Sequence, residues 1–131
     1  MNASPSTKKV LFVAQQPETV DFSDPALPPG FDAARIHSGI AAGMAQMAER
    51  GWHAALCMIR PDDSAAVELG RQLAGAHYDA VVIGGGIRIP PNSLLLFEQL
   101  VNVVHRAAPA AALAFNTTPL DTADAAARWF K

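Results

Sequence analysis

The chain has 131 residues, half of them hydrophobic and 17% charged, with a formal net charge of −2. That length suits one domain, and the apolar content supports a buried core and argues against a disordered chain. Ten Lys and Arg face twelve Asp and Glu; with no basic cluster beyond Lys8-Lys9, the electrostatic footprint of a nucleic-acid binder is missing.

Residues 1–7, polar throughout apart from Met1, Ala3 and Pro5, read as a frayed N-terminus, and residues 8–131 as one α/β domain. The apolar run behind them, Val10 to Ala14, is too short for a signal peptide, and no stretch approaches the roughly 20 apolar residues of a membrane span. Cys57 is the single cysteine, so no internal disulfide can form. It lies in the apolar run Ala54–Ile59 and reads as a small buried hydrophobe. A cytoplasmic protein that does not contact membranes is the expectation.

In chain order, four apolar runs read as strands: Lys9–Ala14, His53–Ile59, Ala80–Ile83 and Ala111–Phe115. They are continuous rather than alternating, as in parallel sheets covered on both faces. A helix follows each strand. The first is predicted from Asp32 to Arg50, with Asp32 as cap and Gly51 as stop. The second runs from Ser64 to Ala74, with Asp63 as cap and Val67 and Leu73 turned inward. The third runs from Pro91 or Asn92 to Ala107, and the last is opened by Thr118-Pro119-Leu120-Asp121, a capping threonine with proline at the first helical position. Strict strand-helix alternation implies parallel strands joined by right-handed crossovers. The predicted fold is a three-layer α/β/α sandwich with a four-stranded parallel sheet in order 2-1-3-4, Rossmann-like or flavodoxin-like.

The third helix is apolar around most of its circumference: Leu94, Leu95, Leu96, Phe97, Leu100, Val101, Val103 and Val104. One stripe suffices to cover a sheet. The surplus predicts a homodimer through Leu94–Val104, with a deeply buried helix as the alternative.

In such sheets ligands bind beyond the carboxyl ends of the strands, where the strand order reverses. Three loops meet there. The first, residues 15–31, exceeds the 2–6 residues usual for a strand-to-helix connection and reads as an ordered lid pinned by Val20, Phe22, Leu27 and Phe31. The second, Gly84-Gly85-Gly86-Ile87-Arg88, allows positive φ and close approach of a ligand to backbone N–H groups, with Arg88 as the fork for a carboxylate or phosphate. The alternative is a tight turn whose glycines serve backbone geometry alone. The third supplies Asn116 and Thr117, with Thr118 as a cap.

The ligand contacts expected on this basis are Gly84, Gly85, Gly86, Arg88, Asn116, Thr117 and Ser23. Asp21 and Asp24 invite an acid-base or metal reading, but two loop carboxylates fall short of a cation's oxygen set. A salt bridge from them to Arg88, latching the lid, or simple solvation of both acids is the simpler expectation, and no metal site is assigned. His37, near the start of the first helix, is the one histidine placed for acid-base work.

Signatures of families with this architecture do not match. A Ser/Thr-rich phosphate loop of flavodoxin type would replace Gln15-Gln16-Pro17-Glu18. A response-regulator receiver would carry aspartate where Gly84 stands. The cobalamin motif Asp-x-His-x-x-Gly is not formed by Asp32 to Gly39, and Gly-x-Ser-x-Gly does not occur. The sequence names no cofactor and does not decide whether the chain is an enzyme. Three functions remain: a binding domain for a small polar or anionic ligand, a small hydrolase or lyase using Asp21 or Asp24 with His37, and a homo-oligomeric interaction domain.

Overall fold

The computed structural model describes residues 7–130 except 26 and 28; the first six residues of the expected frayed terminus lie outside the described residues. The element order is β1 (Lys9–Gln15), α1 (Ala33–Glu49), β2 (His53–Ile59), α2 (Ser64–Gly75), β3 (Ala80–Ile83), the one-turn α3 (Gly85–Arg88), α4 (Leu94–Ala107), β4 (Ala112–Phe115) and α5 (Thr122–Ala127). Short 3-10 turns at Pro17–Thr19, Pro91–Ser93 and Pro119–Asp121 lie between them. All four strands are parallel, in the order β2-β1-β3-β4. Val10–Val13 of β1 lie opposite Ala80–Ile83 of β3, which in turn pair with Ala112–Phe115.

Each strand sends alternate side chains to opposite faces, and both faces are covered. On one, Leu11, Val13, Cys57, Ile59, Val81 and Ile83 pack with Leu69 and Leu73 of α2 and Leu100 and Val104 of α4. On the other, Val10, Phe12, Ala80, Val82 and Ala114 meet Ile40 and Met47 of α1 and the small Ala123, Ala125 and Ala126 of α5. Full burial of one such Leu, Ile or Phe contributes about 1.5–3 kcal/mol, so the two central strands carry much of the core. The fold is the predicted three-layer arrangement, and no helix among the described residues is long and apolar enough to cross a membrane.

Small residues bring the loop after β4 against α1. A Cβ on Gly43 would stand 2.4 Å from the Pro119 carbonyl oxygen, and one on Gly39 would stand 3.3 Å from the Pro119 ring. That contact fixes the Thr118–Asp121 turn beside the middle of α1.

Several local expectations need correction. Val67 is exposed rather than inward. Ala65, Leu69 and Leu73, at i, i+4 and i+8, form the buried stripe of α2, and a residue two positions after Ala65 falls on the opposite side. Asp63 adopts helical backbone and makes no capping bond. Asp62 serves instead, accepting from the Ser64 N–H at 2.9 Å and from the Ser64 hydroxyl. The triple glycine does not use positive φ: Gly84 has φ −69 and ψ 149, and the next residues form a helical turn. Among the described residues positive φ occurs only at Gly30 and Gly51, the latter ending α1 as expected.

The apolar third helix is mostly covered within its own chain. Leu100 and Val104 are buried, and Leu96, Phe97, Val101 and Val103 pack against the same core; Leu94 and Leu95 stay exposed. Cys57 is buried, which pushes its thiol up to about 11, so it is inert as a nucleophile.

Candidate functional site

The carboxyl edge of the sheet has two corners of different construction. The first lies beyond β3 and β4. Its hub is Asn116, 1% exposed at the end of β4. The Asn116 side-chain oxygen accepts from the Gly85 N–H at 2.7 Å, and its amide donates to the Thr122 hydroxyl at 2.8 Å. Thr122, also buried, donates in turn to the Pro119 carbonyl at 2.7 Å. Asn116 therefore ties the β3 loop to the β4 loop, and both ends of its side-chain amide are engaged.

Thr117 is engaged as well. Its hydroxyl donates to Asp121 at 2.6 Å and its N–H at 2.9 Å, while the Thr118 N–H donates to the same carboxylate at 3.0 Å. With Leu120 N–H donating to the Thr118 hydroxyl, this completes the capping box that opens the last helical segment. Burial pushes the Asp121 carboxyl up, but the hydrogen bonds from Thr117 and Thr118 outweigh it and hold the group below its usual range.

The glycines of this corner give room to backbone. A Cβ on Gly85 would lie 2.8 Å from the Thr117 carbonyl oxygen, and one on Gly84 would lie 3.2 Å from that of Val13. Gly86 is exposed and unconfined. Arg88, at the end of α3, is half-buried. Its Nη2 donates to the Asn116 carbonyl at 3.0 Å. Its Nε is buried without an acceptor, the one buried side-chain polar atom so placed among the described residues. No carboxylate pairs with Arg88 among them either.

The second corner lies beyond β1. Gln16 N–H donates to the Ile59 carbonyl at 2.7 Å, closing the tips of β1 and β2 together. In the 3-10 turn that follows, Pro17 is buried and Glu18 exposed. Glu18 Oε1 accepts from the Gln16 side-chain amide at 2.7 Å, and Glu18 Oε2 lies 2.8 Å from His37 Nε2. These two bonds, first from Gln16 and then from His37, hold the Glu18 carboxyl down at about 2. His37 sits in the second turn of α1, whose cap is Asp32, accepting from the Arg35 N–H at 2.9 Å.

Asp21 and Ser23 bond to each other. The Ser23 hydroxyl donates to Asp21 at 2.5 Å and its N–H at 3.0 Å, and those bonds lower the Asp21 carboxyl. The expected latch from Asp21 to Arg88 is therefore not formed, because Asp21 turns back on its own loop and Arg88 turns to the Asn116 carbonyl. Within the loop Phe22, itself exposed, meets Phe31, with ring centroids 6.4 Å apart. No group of three or more His, Cys, Asp or Glu among the described residues could hold a metal ion.

The structure thus brings Gly85, Arg88 and Asn116 together, sets Thr117 beside them on the Asp121 turn, and places His37 with Glu18 rather than with Asp21. Glu18, Gln16, Asp121 and Thr122 were not singled out from the sequence as site residues. Glu18 stood in the right loop, yet three carboxylates there were equivalent until one was seen facing His37. Nothing in the sequence marked Thr122. An open dish of about 570 Å³ on the flank of α1 is lined by Asp32, Arg35, Ser38, Gly39 and Leu120. None of the expected ligand contacts lines it. The chain matches no protein family, and no curated protein shows significant sequence similarity to it.

Proposed function

We propose that this domain binds a small anionic ligand at the carboxyl edge of the sheet, with Arg88 as the counter-charge. One observation carries the reading: a half-buried guanidinium with no carboxylate partner and one buried N–H without an acceptor. Charges removed from water are ordinarily paired, and an unsatisfied buried donor costs about 1–3 kcal/mol. A bound carboxylate or phosphate would supply the missing counter-charge, through the planar fork that suits such groups. Gly84, Gly85, Asn116 and Thr117 then support the anchor through the backbone, leaving Gly86 beside the ligand. Asn116 holds the guanidinium in place.

Thermal denaturation in inorganic phosphate, succinate and AMP tests this. One of these anions is expected to raise the midpoint of the natural chain, with a gain of about 2.7 kcal/mol at a hundredfold excess over Kd. Arg88→Ala should lose most of that gain. No response to any of the three, or an equal response in the variant, would remove the anchor.

A second reading concerns assembly. Leu94 and Leu95 in the first turn of α4, with Ile89 just before it, are each at least 59% exposed. They favour a homodimer through the start of the Leu94–Val104 helix. Light scattering should then give twice the chain mass, reduced to one chain by Leu95→Glu; a single-chain mass for the natural protein contradicts it.

A further inference from the structure

The Glu18–His37 pair plays no part in the Arg88 reading, and it is built more firmly than an ordinary surface ion pair. Both oxygens of Glu18 are engaged, one by the Gln16 amide and one by His37. The turn beneath is fixed by its own bonds. The Gln16 carbonyl accepts from the Thr19 N–H at 2.9 Å and the Thr19 hydroxyl at 2.6 Å, and the Gln15 amide reaches Thr19 at 3.2 Å. Glu18 therefore stands on a rigid step at the tip of β1. A carboxylate that accepts from one ring nitrogen sets the tautomer, placing the proton on Nε2 and the free lone pair on Nδ1. It also stabilises the imidazolium formed when Nδ1 takes up a proton, which is the division of labour in a catalytic triad. Both side chains are open to solvent, 44% and 58% exposed. Val13 of β1 lies opposite Ile83 of β3, so the turns bearing Glu18 and Arg88 leave neighbouring strands at the same edge.

We infer that His37 is a general base and Glu18 its positioning residue, for hydrolysis of a small ester that carries a carboxylate. The inference rests on the Arg88 reading only for that carboxylate. His37 Nδ1 takes a proton from water as the water oxygen bonds to the ester carbonyl carbon. The tetrahedral adduct collapses with cleavage of the carbon–oxygen bond, and the imidazolium returns the proton to the departing oxygen. An acid and an alcohol leave, and water is the sole co-reactant.

The test uses the full chain with 4-acetoxybenzoate and, as its neutral counterpart, phenyl acetate. His37→Gln should lower the hydrolysis of both at least a hundredfold, within the usual range for acid-base groups. Glu18→Gln should reduce kcat about tenfold at unchanged KM, as for loss of a partner that orients a histidine. Arg88→Ala should raise KM for 4-acetoxybenzoate and leave phenyl acetate unaffected. Circular dichroism of each variant, including that at the half-buried Arg88, checks that the fold is intact. Equal rates for the natural chain and His37→Gln overturn the inference, as does an unchanged kcat in Glu18→Gln. If only the Arg88→Ala arm fails, the anion anchor falls and the His37–Glu18 couple stands.

Discussion

The two corners of the carboxyl edge use polar side chains in opposite ways. Beyond β3 and β4, Asn116, Thr122, Thr117 and Asp121 spend their hydrogen bonds on one another and on backbone, and only Arg88 is left with unmet capacity. Beyond β1, Gln16, Glu18 and His37 form a chain that ends in a partly exposed imidazole. The first corner is held like a core and the second like a tool. A loop cluster at a switch point is therefore not uniformly a binding surface: some of its polar residues are there to hold the others still.

The sharpest way to break that contrast is Asn116→Ala. It strands the Gly85 N–H and removes the donor to Thr122, and should cost about 3 kcal/mol in urea unfolding. A cost below about 0.5 kcal/mol would show that the corner is not closed by its own bonds. Next in size is Gly85→Ala. Its methyl would meet the Thr117 carbonyl oxygen at 2.8 Å, and overpacking of that kind costs about 1–3 kcal/mol. If the substitution is neutral, the glycine served a ligand's approach rather than the protein's own backbone.

The smallest of the three concerns acid. The folded-state Asp121 carboxyl is depressed, so its stabilisation is complete above the ordinary aspartate range and is lost as pH falls through the depressed value. Asp121→Ala should cost about 1 kcal/mol near neutrality, typical for a lost cap. That difference from the natural chain should shrink towards zero in acid. A difference independent of pH would mean that the carboxylate's charge does not hold the turn.

Continuous apolar strands and clear helix punctuation made the sheet legible, because burial on both faces leaves a pattern that few other folds produce. Strand order followed from the need to cover both faces. Side-chain pairing was not legible. Val67 was misplaced because a single apolar residue in a short helix does not define the stripe, whereas Ala65, Leu69 and Leu73 do. The triple glycine suggests positive φ, whereas Gly85 instead gives room to the Thr117 carbonyl, a contact across 32 residues that no local pattern records. His37 was recognisable as placed for chemistry; its partner was not, since Glu18, Asp21 and Asp24 share one loop and differ only in how that loop turns.

The most direct test of the Arg88 site is a succinate titration of the ¹⁵N-labelled full chain, followed by amide shifts. The expected result is saturable movement confined to residues 84–89 and 116–118, abolished in Arg88→Ala. Shifts centred instead on Asp32, Arg35 and Ser38, or unchanged by the loss of Arg88, would contradict it.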